Sequence, residues 1–263
     1  MKRRAFLQHS AAALTGLAGL GTTLSAADSP GAAERELYEL RLYHLRRGAK
    51  TKVLDEYLKQ AALPAMNRAG VQPIGAFNVA IGPDSPTLYL LIPYKSAAEM
   101  LTVRSRLKED KEYHEAGAEF LNAPATDPAF VRVESSLMAA FEGMPKLEVP
   151  AGKSRLFELR TYESHSTKAH LKKVEMFNLG EIAIFRRCGL QPVFFGQTLI
   201  GSRLPNLTYM LVYENMAGHD KCWGVFGGDP EWKKLSTTPG YTDAEIVSNI
   251  TNCFLRPTGY SQI

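Results

Sequence analysis

The chain has 263 residues, 45% of them hydrophobic and 22% charged, with a formal charge of +4. Three of the positive charges, Lys2, Arg3 and Arg4, stand at the N-terminus, so the rest is nearly neutral and carries no Lys/Arg block interleaved with aromatics. This is an ordinary globular mixture, and it gives no support to a nucleic-acid partner or to an anionic membrane surface.

The first element is a leader. Lys2-Arg3-Arg4 precedes Ala5-Phe6-Leu7-Gln8, an Ala/Gly/Leu run extends from Ala11 to Leu20, and small residues stand at Ser25-Ala26-Ala27. A basic start, a short and moderately apolar centre and a small-residue site predict a cleaved export signal over residues 1–27, since a membrane span needs about 20 strongly apolar residues. Arg3-Arg4-Ala5-Phe6-Leu7-Gln8 is similar to the twin-arginine pattern, with Gln8 where a Lys is common. That route predicts a periplasmic or secreted bacterial protein with no stable membrane insertion after cleavage. An ordinary secretory signal with an incidental arginine pair is the alternative. Residues 28–36 are expected to form a flexible segment.

A first unit follows over residues 37–141. Tyr38, Leu40 and Leu42 alternate with Glu39, Arg41 and Tyr43, a period of two that predicts a strand. From Lys50 to Arg68, apolar residues recur at intervals of three and four, a helix ended by Gly70 and kinked or restarted at Pro64. Two antiparallel strands are expected near Val71–Ile81 and Leu88–Tyr94, joined through Gly82-Pro83-Asp84-Ser85-Pro86. Ser96-Ala97-Ala98-Glu99 has capping-box spacing for a helix that breaks near Lys111 and resumes to Leu121. A last strand is expected from Ala129 to Ala139.

The same order then returns. Tyr38-Glu39-Leu40-Arg41-Leu42-Tyr43 reappears 119 residues later as Phe157-Glu158-Leu159-Arg160-Thr161-Tyr162. Without a gap the same interval brings Gly70, Gln72 and Pro73 onto Gly189, Gln191 and Pro192, and Ile81-Gly82 onto Ile200-Gly201. It also brings Tyr94 onto Tyr213, and Asp110-Lys111-Glu112-Tyr113 onto Asp229-Pro230-Glu231-Trp232. Solenoid periods run to roughly 20–50 residues, so this is a duplicated domain. Residues 142–153, with Gly143, Pro145, Pro150 and Gly152, read as a linker, and residues 154–263 as the second unit. Its last strand is expected near Ala244–Leu255.

Each unit is strand, helix, two strands, helix, strand. This βαββαβ order predicts an α+β fold of two tandem ferredoxin-like repeats. A four-stranded sheet covered by helices on one face leaves the other bare, and two fused copies bury both bare faces by packing sheet to sheet. Sheet edges would leave room for a further homo-oligomer.

The Glu-Leu-Arg-x-Tyr first strand, the Gly-x-Gln-Pro opening of the second, the third strand ending in Tyr213 and the Asp-Pro-Glu-Trp helix resemble the NIPSNAP family. The resemblance runs from about Leu37 to the C-terminus. It implies a tandem dimeric α+β barrel, in a superfamily whose members include small monooxygenases and haem enzymes that use the cavity between the sheets. The family's own activity is undefined. The first repeat departs from the pattern, with Lys111-Glu112-Tyr113 in place of Pro-Glu-Trp.

Alternation sends Leu40 and Leu42 to one face of the first strand, and the leucines are assigned to the helices. By elimination Glu39, Arg41 and Tyr43, with Glu158, Arg160 and Tyr162, are expected in the inter-sheet cleft. There the arginines would hold an anionic or carbonyl-bearing ligand and the tyrosines would supply hydroxyls. The competing reading is that each Glu-Arg pair only satisfies itself and its neighbours, because unpaired buried charge costs several kcal/mol per ion.

Histidines are the commonest metal and haem ligands, yet none recurs at the repeat interval: His44 aligns with Glu163 and His114 with Lys233. His165 and His170 would diverge on a helix, and no carboxylate or cysteine completes a zinc spacing. No metal is predicted. His44, just past the first strand, is placed to reach the barrel mouth beside Tyr43 and joins the candidate site. Cys188, Cys222 and Cys253 permit one disulfide, Cys222 with Cys253, or three buried free thiols. No Gly-x-Ser-x-Gly elbow, Walker loop or dinucleotide turn is present. Phe194 and Phe195, adjacent on a strand, must point to opposite faces, so one enters the cleft.

Three functions fit these features. One is an exported protein that transforms a small organic molecule in the cleft; another binds such a ligand, or haem, without turnover. The third is a structural or interaction module whose inter-sheet space is filled.

Overall fold

The computed structural model describes residues 34–152 and 155–263, and the export signal expected over 1–27 lies outside them. Of the segment expected to be flexible, Glu36 is tied down: its backbone N–H donates to the Pro145 carbonyl and its carboxylate accepts from the Leu147 N–H.

Eight strands close into one antiparallel barrel. They are β1 (Leu37–His44), β2 (Gly75–Ile81), β3 (Thr87–Tyr94), β4 (Arg132–Ala140), β5 (Leu156–Glu163), β6 (Gln191–Ile200), β7 (Asn206–Tyr213) and β8 (Asn249–Pro257). Their order around the barrel is β1-β3-β2-β8-β5-β7-β6-β4. Each repeat supplies four neighbours, and the pairs β2–β8 and β4–β6 stitch the two sheets together. The sheets therefore do more than face each other. Their edges are hydrogen-bonded, which leaves no free edge for the further dimer that edges would have allowed.

Helices lie outside. In the first repeat α1 (Lys50–Tyr57) and α2 (Leu63–Arg68) are joined by a π-helical turn, Leu58–Ala62. The second repeats the arrangement 119 residues on, with α6 (Thr167–Met176), a π turn at Phe177–Glu181 and α7 (Ile182–Arg187). Pro64 follows the first turn but Ala183 stands in its place in the second, so the proline is not the cause. Between β3 and β4 lie α3 (Ala97–Glu109), α4 (Lys111–Ala116) and α5 (Ala118–Leu121). Between β7 and β8 lie α8 (Met216–Gly228), α9 (Pro230–Ser236) and α10 (Asp243–Ile246).

Local chemistry explains the boundaries. Ser96 caps α3 by accepting from the Glu99 N–H, Ser166 caps α6 and Asn215 caps α8. Asp110 and Asp229 cap α4 and α9 and also pair with Arg68 and Arg187 at the ends of α2 and α7. The repeated Asp-x-Glu motif is thus a duplicated clamp between two helices. Three strands start later than expected, at Gly75, Arg132 and Asn249; before the last of them residues 243–246 are a helical turn, set by the Thr242–Glu245 capping box.

Three apolar layers result. One lies between the first sheet and its helices, one between the second sheet and its helices, and one fills part of the barrel lumen. Tyr38, Phe77, Phe157, Phe194 and Leu255 form the lumen layer, all fully buried. They sit towards the end where β1 and β5 begin, and Ile263 packs against them.

Candidate functional site

β1 has the opposite parity to the one expected. Tyr38 and Leu40, with Leu42 beside them, face the lumen, whereas Tyr43 packs in the layer beneath the helices. Glu39, Arg41 and Tyr43 therefore lie on the helix side, as do Glu158, Arg160 and Tyr162 in β5, and none of the six belongs to the inter-sheet cleft. Both faces of these strands are buried, so alternation alone does not say which face is which. Satisfaction of charge does: the helix side offers donors, and the lumen floor is apolar.

In the first repeat the buried Glu39 accepts from Arg41 at 2.8 and 3.0 Å, from the Ser135 hydroxyl at 2.8 Å and from the Tyr94 hydroxyl at 3.2 Å. Arg41 donates onward to the Tyr43 hydroxyl. In the second, Glu158 accepts from Arg160 at 2.6 Å, Tyr213 at 2.9 Å, Asn252 at 3.0 Å and the Trp223 indole at 3.2 Å. Arg160 also donates to Tyr162 and stacks 4.7 Å from the Trp223 ring. Burial pushes both carboxyls up, but the arginines and the other donors outweigh it, and both are held below the ordinary glutamate value. Every carboxylate oxygen in these clusters has a partner, and the two terminal nitrogens of Arg160 are used, while its buried Nε makes no hydrogen bond. The self-satisfying reading is the one the geometry supports.

At the end where β1 and β5 finish, the lumen opens into a cavity of about 330 Å³. Leu40, Leu42, Met138, Leu159 and Tyr89 give it an apolar floor. Above them stand hydroxyls from five strands: Ser136 on β4, Thr161 on β5, Thr198 on β6, Thr208 on β7 and Thr251 on β8. Thr161 and Thr208 are hydrogen-bonded to each other at 2.9 Å, and Thr198 donates to Asn206 at 2.6 Å. Arg203, at φ +58°, rises over the rim from the β6–β7 hairpin, 3.6 Å from Glu163. A non-glycine residue in that region is uncommon and is held there by its surroundings. Cys253 lines the same cavity with its thiol pushed up to about 11 by burial, so it stays protonated at neutral pH.

His44 has the lumen parity, opposite Thr87 in β3 and Arg132 in β4, and is buried at the mouth. Its Nδ1 lies 3.4 Å from the Thr87 hydroxyl and 3.8 Å from Asp84. Its Nε2 makes no hydrogen bond and lies 3.5 Å from Glu134, a cavity-lining carboxylate that Arg132 holds ionised. Of the seven residues expected at the site, His44 alone is near it. Its imidazole is turned to Glu134, and among the described residues no histidine lines the cavity. Among the described residues no group of three or more His, Cys, Asp or Glu is placed to hold a metal.

Two further clusters escaped sequence reasoning. His219 on α8 lies 3.5 Å from Glu158. Lys173 and Glu181, on either side of the second π turn, form a fully buried pair at 3.2 Å, with the ammonium 5.1–5.7 Å from the rings of Tyr162, Phe177 and Trp232. Complete burial pushes the Glu181 carboxyl up despite Lys173. The first repeat has Leu54 and Ala62 in these places. The cysteines are free: Cys253 faces the lumen and Cys222 packs on the helix side, so the sheet separates the pair that could have bonded.

A duplicated ferredoxin-like barrel, solid at one end and hollow at the other, is the class of protein that this geometry defines. The NIPSNAP family model matches it twice, over residues 38–141 and 157–262, and the chain belongs to the NIPSNAP family. No curated protein matches it. Among solved structures it is similar to a proposed monooxygenase of Lactobacillus acidophilus, at 11% identity and a TM-score of 0.58, covering 87% of this chain and 97% of that one. A proposed monooxygenase of Fusobacterium nucleatum aligns at 9% identity and a TM-score of 0.55, covering 85% and 92%. An anthrone oxidase-like protein aligns at 11% and 0.50, covering 86% and 93%. At such identities the likeness shows the shared barrel alone.

Proposed function

We propose that this protein is exported and binds a small organic molecule in the open end of its barrel. The observation that carries the reading is the one-ended lumen: aromatic side chains fill it where β1 and β5 begin, and a 330 Å³ cavity remains where they end. A floor of leucines and methionine under a ring of threonines favours a ligand that is apolar at its buried end and bears a hydroxyl or carbonyl towards the rim. Turnover is the finer reading, suggested by the neighbours described as monooxygenases. Glu134 and Cys253 are cavity-lining groups that can carry a proton, and the His44 imidazole lies 3.5 Å from Glu134.

Thermal shift against a panel of such compounds tests binding. A ligand at one hundred times its Kd stabilises the fold by about 2.7 kcal/mol. The rise in Tm is expected for wild type and not for Thr161→Phe, which fills the cavity. Equal rises in both would place the ligand elsewhere. Export is tested separately by following the location of Arg3→Lys/Arg4→Lys.

A further inference from the structure

The two sides of the cavity mouth carry opposite charges. β4 and β8 hold equivalent places in the two repeats and stand half the circumference apart in the barrel order, so they face each other across the lumen. On β4 the wall is acidic: Glu134 lines the cavity, 2.6 Å from Arg132 and ionised by it. The 119-residue interval carries Glu134 onto Cys253 and Arg132 onto Thr251, so the facing wall on β8 bears neither charge. A cation reaches that wall from another element. Arg203, in the hairpin between β6 and β7, lines the cavity and donates to the Thr251 hydroxyl at 3.3 Å. Its counterpart in the first hairpin is Asp84, of the opposite sign.

Arg203 is fixed at the mouth from inside the barrel. Thr198 donates to the buried Asn206, and the Asn206 amide donates to the Ser202 and Arg203 carbonyls at 2.9 and 3.0 Å, which holds the hairpin in its left-handed turn. Val79 and Thr87 stand in these places in the first repeat, so the lock belongs to the second copy alone. The guanidinium keeps most of its donors. Glu163 lies 3.6 Å away, beyond hydrogen-bond distance, and is itself served by the Asn249 amide at 2.9 Å. Thr251 is the one hydrogen-bond acceptor of the Arg203 side chain among the described residues. A fork of N–H groups is thus left beside the cavity, and its geometry matches a carboxylate.

We infer that the cavity takes a monocarboxylic acid with an apolar body, its carboxylate on Arg203 and Thr251 and its chain on Leu40, Leu42, Met138 and Leu159. This rests on the cavity being the binding site. Glu134 on the facing wall repels an acid group, which fixes the side of the mouth that the carboxylate occupies. A second carboxylate at the far end of the chain would meet the leucine floor without a donor, so dicarboxylates are excluded. Isothermal titration calorimetry with octanoate, 1-octanol and suberate tests this. Octanoate is expected to bind wild type about tenfold more tightly than 1-octanol, with the difference shrinking in high salt, and suberate is expected not to bind. Arg203→Gln should remove the preference by weakening octanoate while leaving 1-octanol unchanged, which also shows that the variant keeps its cavity. Equal affinities for octanoate and 1-octanol, no binding of octanoate, or a preference that survives Arg203→Gln overturns the inference. If 1-octanol is then still bound by wild type and lost on Thr161→Phe, the cavity reading stands without it. Octanoate held equally by wild type and Thr161→Phe overturns both.

Discussion

Replacing Arg160 by Met separates the two sides of β5. The change removes the guanidinium but keeps an apolar stem against Trp223, leaving Glu158 fully buried with Tyr213, Trp223 and Asn252 as its remaining donors. Breaking a buried ion pair from one side costs about 3–5 kcal/mol, and three surviving donors set the expectation at the lower bound, about 3 kcal/mol. With an m-value of about 2–3 kcal/mol/M in urea, the midpoint falls by about 1 M or slightly more. The sign with pH is also fixed. The folded-state pKa of Glu158 is depressed, so its stabilisation is complete above the unfolded value of about 4.3 and is lost as pH falls through the folded value. The gap between wild type and variant should be widest above about pH 5 and narrow below about pH 4. Urea denaturation at several pH values measures this, and titration of a lumen ligand should give the same Kd for both proteins. A variant with an unchanged midpoint and no ligand binding would refute the assignment of this face to structure.

Other changes follow from the same geometry. Arg41→Met should cost less than Arg160→Met, because Arg41 is more exposed (23% against 16%) and Arg104 stands 3.6 Å from Glu39 to take its place; parallel urea melts compare them. Lys173→Ala should destabilise by about 3–5 kcal/mol through the unpaired Glu181. The double change Lys173→Leu/Glu181→Ala, which copies the first repeat, should be neutral or stabilising by about 1–4 kcal/mol, again in denaturant melts. Thiol titration of the native protein should find Cys253 unreactive near pH 8, its thiol being raised to about 11, and all three thiols should react after unfolding. His44→Gln should leave ligand affinity within about threefold, since its imidazole does not line the cavity, while slowing any turnover whose proton passes between Glu134 and His44; binding and product assays read the two effects apart.

The order of elements could be read in the chain because the 119-residue repeat and the capping residues are local signals: Ser96, Ser166 and Asp229 do what their types predict. The face of each strand could not. A barrel strand covered by helices is buried on both sides, and whether Leu40 or Glu39 turns inward depends on partners such as Ser135, Tyr94 and Asn252 that arrive from distant strands. One clue to the cavity was present in the motif itself. The two copies differ in polarity at Leu42 and Thr161, a lumen position at the open end, and the hydroxyl ring starts there. Lys173–Glu181 left a similar mark, as charged residues where the first copy has Leu54 and Ala62.

Native mass spectrometry of wild type and Thr161→Phe, each purified from cells that export it, tests the central claim most directly. A one-ended lumen that holds a small molecule predicts a retained mass on wild type that is missing from the variant, with both proteins folded. The same adduct on both proteins, lost instead on Arg160→Met, would contradict it.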